Sequence, residues 1–236
     1  MDKDTYAYRV CGNGESIVLL HGWLQTKEVF DHLISHLEKH FTVYSLDLLG
    51  FGKSSMPKEG LSIKDYAEKL HHFFKEHNLD DAILLGHSFG GRIAIKYSSM
   101  YHVKKLILIG SAGIKQKRSL YVLSKIWLYK FFKIFKIKLQ VGSNDYKNLN
   151  KVMQHTMSLA LKEDQRIDMK KITAPTLIVW GSDDDVTKLK DAKKIQSTIK
   201  GSGLVVIPNT GHFCFLEDSL YFNIILDAFL LGELDE

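Results

Sequence analysis

Three prolines and two cysteines are few for a chain of 236 residues. Cys11 and Cys214 cannot build a disulfide framework, which excludes the small stapled folds of secreted chains. The opening "MDKDTYAYRV" has neither a basic leader region nor an apolar one, so the expected compartment is the reducing cytoplasm. Long hydrophobic runs are missing too. A spanning helix takes about 20 apolar residues, and even the greasiest stretch, Leu120 to Leu139, carries a lysine every few positions. Internal repeats are absent, which excludes solenoids and arrays. Also lacking is a positive excess large enough to imply nucleic acid, since the net charge is only +5.

What is present is an alternation. Short apolar runs recur: "SIVLLHG" from Ser16, "FTVYSLD" from Phe41, "DAILLG" from Asp81, "KKLILIG" from Lys104, "PTLIVWG" from Pro175 and "GLVVIP" from Gly203. Runs of this length, ended by Gly, Asp or Pro, predict parallel strands buried on both faces. Helical periods lie between them. Lys27 to Lys39 places Phe30, Leu33, Ile34 and Leu37 on one stripe, and Ile63 to His77 does the same with Tyr66, Leu70, Phe73 and Phe74. The fold class is α/β, a mostly parallel sheet flanked by helices, with ligands expected beyond the carboxyl ends of the strands. The alternation fails between Gly113 and Lys171, and Pro175 marks the return of the chain to the sheet. Residues 1–112 and 171–236 are therefore the expected sheet core, and 113–170 an inserted helical lid.

The strand ends carry the chemistry. In "LLGHSFGGR", Ser88 follows a buried run and precedes the helical pattern "RIAIKYSSM". A serine hydroxyl is a weak nucleophile, so it has to project from a sharp turn where a base reaches it and the Phe89 amide faces the developing oxyanion. Crowding in such a turn demands very small residues on both sides, which Gly86 and Gly90 supply. Of the eleven histidines, only His21, His87 and His212 lie just beyond a predicted strand. His87 adjoins the serine and is expected to point away, and His21 sits before a glycine in a loop suited to supplying an amide. His212 is left as the general base. The acid that orients it must come from "WGSDDDV", with Asp184 expected and Asp183 as the alternative. Ser, acid and His occur in the chain order of the α/β-hydrolase arrangement.

Neither metal reading holds up. A calcium loop spaces its acids at alternate positions and ends in glutamate, unlike the three consecutive aspartates. His32, His36 and His40 are spaced i, i+4, i+8 on one expected helix, but no acid accompanies them as in a zinc HExxH motif, so they read as a solvated face. No metal and no cofactor is expected.

With these residues in place, the chain resembles an α/β-hydrolase-fold serine hydrolase over nearly its full length. The family's oxyanion motif matches "HGW" at His21 to Trp23, and its DxxGxGxS segment matches Asp47, Gly50, Gly52 and Ser54. The elbow matches Gly86 to Gly90, the acid segment GxxD matches Gly181 to Asp184, and GHxxxxE matches Gly211, His212 and Glu217. The resemblance implies an oxyanion hole formed by the backbone amides of Trp23 and Phe89, and acyl transfer to Ser88. The chain departs from the family at Lys188, where a proline often follows the acid, and at Phe213, where enzymes that cleave carbon–carbon bonds usually carry tryptophan. Relatives that open epoxides or displace halide use aspartate at the elbow, and Ser88 removes those reactions.

From Lys115 to Lys138 the chain holds eight basic residues and no acid. At helical spacing Lys125, Lys130, Lys133 and Lys136 share one side, while Leu123, Trp127, Leu128, Phe131, Ile134 and Phe135 spread over the other. The simplest expectation is a lid that turns its lysines to water and roofs an acyl pocket with Trp127 and Phe131, Phe213 lining it from below. The sharper one is a surface for an acidic carrier protein or an anionic membrane. HGW with a basic lid is similar to the pimeloyl-acyl-carrier-protein methyl esterases. The expected activity is hydrolysis of a small-molecule acyl ester. Acyl-carrier-protein methyl ester esterase and monoacylglycerol-type lipase are variants of it, and a ligand receptor on a hydrolase scaffold is the alternative from another class.

Overall fold

A computed structural model describes residues 4–115 and 150–232. Trp127, Phe131 and the basic residues from Lys117 to Lys138 lie outside the described residues. Seven strands among those described form one sheet in the order β1-β3-β2-β4-β5-β6-β7. They are β1 (Tyr8–Cys11), β2 (Glu15–Leu20), β3 (Phe41–Leu46), β4 (Ile83–His87), β5 (Leu106–Ile109), β6 (Thr176–Gly181) and β7 (Gly203–Ile207). All neighbours pair in parallel except β1, which runs antiparallel to β3.

Strict alternation along the inner strands builds two cores. Val18, Leu20, Leu84, Leu106, Leu108, Ile178 and Trp180 face one side. Ile17, Leu19, Ile83, Leu85, Ile107, Ile109, Leu177 and Val179 face the other. Each such side chain contributes roughly 1.5–3 kcal/mol on burial. The first face is covered by α2 (Ile63–Glu76) and α3 (Phe89–Met100), joined by α4 (Lys151–Lys162), α5 (Arg166–Met169) and α6 (Leu189–Thr198). The second is covered by α1 (Asp31–Leu37) and, after the short α7 (Cys214–Glu217), by α8 (Ser219–Leu230). The start of α2 is fixed by a capping box, in which the Ser62 hydroxyl accepts from the Asp65 N–H and the Asp65 carboxylate accepts from the Ser62 N–H.

Three expectations need correction. The edge strand β1 is a further strand that the sequence pattern did not reveal, because it is short and exposed and has no buried alternate face. β7, expected to be buried on both sides, is only partly so, since it is the outermost strand and pairs with β6 alone. His32 and His36 share α1, but His40 does not lie on it. A 3₁₀ turn over Lys27–Phe30 leads into α1, which stops at Leu37, and His40 already lies in the tight turn into β3. His36 pairs with Asp227 of α8 at 2.8 Å.

The described part of the expected lid packs directly on the core. Met153 of α4 lies against Gly50, and the Thr156 hydroxyl accepts from the Leu61 N–H at 2.9 Å. Among the described residues no helix is long and apolar enough to cross a membrane.

Candidate active site

Ser88 sits between the last residue of β4 and the first of α3, at φ 53° and ψ −108°. A left-handed φ on a serine is strained, at a cost of order 1–3 kcal/mol, and persists only where the surroundings impose it. They do. The Ser88 N–H donates to Ile109 O at 3.0 Å, and its carbonyl accepts from Arg92 N at 3.2 Å and Ala112 N at 3.1 Å. Small neighbours are obligatory: a Cβ on Gly86 would lie 2.6 Å from Gly90 O, and one on Gly90 would run into the Leu20 carbonyl. From Ala82 to Ile95, Ser88 is the single residue that is not buried. The fold therefore spends strain to lift one hydroxyl out of a packed layer.

Two strands away, the acid and the base meet. His212 Nδ1 lies 2.8 Å from Asp184 Oδ2, with both residues about 95% buried. Asp183 is exposed and its carboxylate accepts from the Ser182 hydroxyl, so the structure pairs His212 with Asp184 and leaves Asp183 facing water. The Asp184 carboxylate is fully provided for. Oδ1 accepts the Val186 and Thr187 amides at 2.8 and 2.9 Å, and Oδ2 accepts the Thr187 hydroxyl at 2.7 Å. Burial pushes this carboxyl up, but the charge of His212 and the bonds from His212 and Thr187 outweigh it and hold it below the usual range. Glu217 fixes the base from the other side: Oε2 accepts the Gly211 N–H at 2.6 Å and Oε1 the Phe213 N–H at 3.2 Å.

The profile of the family described as "alpha/beta hydrolase fold" matches residues 15–137. The chain belongs to that family. The AB hydrolase superfamily protein YisY of Bacillus subtilis is 29% identical, over 92% of this chain and 92% of that protein. A 2-hydroxy-6-oxo-6-(2'-aminophenyl)hexa-2,4-dienoic acid hydrolase of Metapseudomonas resinovorans is 27% identical, over 89% of this chain and 82% of that one. Among solved structures, the esterase EaEST of Exiguobacterium antarcticum superposes with a TM-score of 0.80 at 27% identity, covering 95% of this chain and 94% of its own.

Within the hydrolase fold, the remaining predicted residues fall at the ends of β2 and β4. Phe89 is the first residue of α3, where a backbone N–H has no partner inside its own helix. Trp23 packs on Phe89 and Phe51 with ring centroids 5.0 and 4.9 Å away, which ties the HGW loop to the elbow. That loop is a tight turn in which Gly22 donates to Gln25 Oε1 at 3.1 Å, and Leu24 is held at φ 58°.

The two other strand-end histidines hold main chain in place. His21 Nε2 accepts the Leu48 N–H at 2.9 Å, so its proton resides on Nδ1 and goes to the Gly22 carbonyl at 2.7 Å. Burial holds this imidazole neutral, its pKa down to about 4. His87 donates from Nε2 to the His212 carbonyl at 3.0 Å and is likewise kept neutral, first by burial and then by the nearby His212. Each holds backbone through a ring nitrogen.

Phe213 does not join Trp23 and Phe89. It is buried with Phe215 and Phe30 in the core on the α1/α8 side, its ring 5.0 Å from His87. Its ring also lies 5.6 Å from that of His212, so it packs on the base. Sequence reasoning also missed Thr187, the donor to Asp184, and Arg92. Arg92 is 2% exposed and donates to the carbonyls of Ala160 and Glu163, closing the C-terminal end of α4.

Proposed function

We propose that this hydrolase cleaves carboxylic esters through Ser88, His212 and Asp184 by way of an acyl-enzyme. The observation that carries the reading is the Asp184–His212 bond at the ends of β6 and β7, set in the same sheet as a serine strained to φ 53°. In this mechanism His212 takes the Ser88 proton on Nε2 as Oγ bonds the acyl carbon. Asp184 keeps the other proton on Nδ1 and stabilises the imidazolium. The amides of Phe89 and Trp23 receive the oxyanion, and His212 returns its proton to the leaving alkoxide. Water then repeats the cycle in reverse. The esterase likeness and the apolar surroundings of Trp23, Phe51 and Phe89 support an ester with a medium apolar acyl group.

A second reading, hydrolysis of a carbon–carbon bond in a dienoate, draws on the likeness to the Metapseudomonas enzyme. Turnover of p-nitrophenyl esters of graded chain length, beside a 2-hydroxy-6-oxo-dienoate, separates the two. Ester turnover with a chain-length optimum, abolished in Ser88→Ala, supports the first. Dienoate cleaved far faster than any ester supports the second. No turnover of either leaves a ligand receptor on a hydrolase scaffold.

A further inference from the structure

Every polar atom of Thr187 is engaged in the acid loop. Its N–H donates to Asp184 Oδ1, its carbonyl accepts the buried Trp180 indole N–H at 2.8 Å, and its hydroxyl reaches three groups. Oγ1 stands 2.7 Å from Asp184 Oδ2, 3.1 Å from the Gly110 carbonyl and 3.3 Å from His212 Nδ1. The hydroxyl has one proton and two acceptors to choose between, and the carboxylate is both nearer and charged, so the proton goes there. Asp184 Oδ2 therefore takes two donors at once, the Thr187 O–H and the His212 Nδ1–H.

We propose that Thr187 is a positioning residue whose hydroxyl shares Asp184 Oδ2 with His212 and, with the two amides on Oδ1, holds the carboxylate in the plane from which it pairs with the imidazole. The proposal rests on the hydrolase reading of the site. An acid gripped on both oxygens keeps the His212 Nδ1–H on Oδ2 and Nε2 presented to Ser88, and a base that strays from that line loses rate steeply. The Gly110 carbonyl, 3.1 Å from Oγ1, is a second acceptor that steadies the hydroxyl.

The test uses the far-downfield proton NMR resonance of the His212 Nδ1–H in the full chain without substrate, together with ester turnover. In Thr187→Val, Oδ2 belongs to the imidazole alone, so the resonance moves further downfield. Without the hydroxyl the carboxylate loses one of its three anchors, and the less precisely held base lowers kcat roughly tenfold, with KM unchanged because Thr187 touches no substrate. Thr187→Ser restores both resonance and kcat, and Thr187→Ala repeats the Val result should Val fail to fold. A resonance that stays in place in Val and Ala, or a Ser variant that behaves like them, overturns the proposal. Because the resonance is read without turnover, it judges Thr187 separately. A wild-type chain that hydrolyses no ester while the resonance moves as expected overturns the hydrolase reading and not the sharing of Oδ2.

Discussion

At the ends of β6 and β7 the site is made of side chains: Asp184, Thr187 and His212 bond to one another, with Glu217 bracketing the base. At the ends of β2 and β4 it is made of main chain. The expected oxyanion donors there are amides, and the side chains of His21 and His87 serve to hold carbonyls and N–H groups in position. The two ends therefore fail differently under mutation. Replacing a group in the first removes chemistry and leaves the fold, whereas replacing one in the second disturbs the fold and reaches chemistry through it.

The sharpest break in that contrast comes from Ser88, which belongs to both ends. On the proposed mechanism, Ser88→Ala is expected to lower kcat for ester hydrolysis by about 10⁵-fold or more, as loss of a catalytic nucleophile does. Ser88→Gly is equally inactive but raises stability by about 1 kcal/mol, because glycine accepts a positive φ without strain. Both are checked by p-nitrophenol release and denaturant melts. Asp184→Asn comes next, with a loss near 10⁴-fold in kcat, since the amide favours the wrong imidazole tautomer. Its melting temperature should fall less than that of Gly90→Ala, because the amide oxygen still accepts the Val186 and Thr187 N–H groups.

At that end, Gly90→Ala is expected to destabilise by about 3 kcal/mol through collision with the Leu20 carbonyl, the upper range for overpacking. Activity should fall only in proportion to the unfolded fraction. A soluble, fully folded Gly90→Ala with lost activity would break the comparison.

Acid distinguishes the ends as well. His21 is neutral in the fold, with its pKa lowered from 6.5 to about 4, so between those values the unfolded chain binds a proton that the folded one refuses. Stability is therefore complete above about 6.5 and falls as pH drops toward 4, by roughly 3 kcal/mol from this residue. Asp184 adds a second loss at lower pH, because its depressed carboxyl favours the fold only while ionised. His21→Gln, whose side-chain oxygen reaches the Nε2 position and can still accept the Leu48 N–H, should reduce the slope of the upper part of the curve in urea melts from pH 7 to 4, with His87 supplying the remainder. An unchanged slope would mean that His21 is not the group responsible.

The sequence made the sheet core legible because four inner strands are buried on both faces and read as unbroken apolar runs. It hid β1, whose residues are exposed and whose pairing depends on β3 far along the chain. In the site, Ser88, Asp184 and His212 stood out because glycines and chain order frame them. Thr187 and Arg92 did not, since a threonine three residues past an acid and an arginine within a helix look like any others. Their roles come from partners at positions 110, 160 and 163, and no local pattern encodes those distances.

The nucleophile is identified by where an acyl-like electrophile becomes attached. Treat the wild-type chain, Ser88→Ala and His212→Ala with a fluorophosphonate, then map the adduct by peptide mass spectrometry. The expected result is one adduct on Ser88 in wild type, none in Ser88→Ala, and labelling slowed by orders of magnitude in His212→Ala. A wild-type chain that stays unmodified, or an adduct that persists in Ser88→Ala, would contradict it.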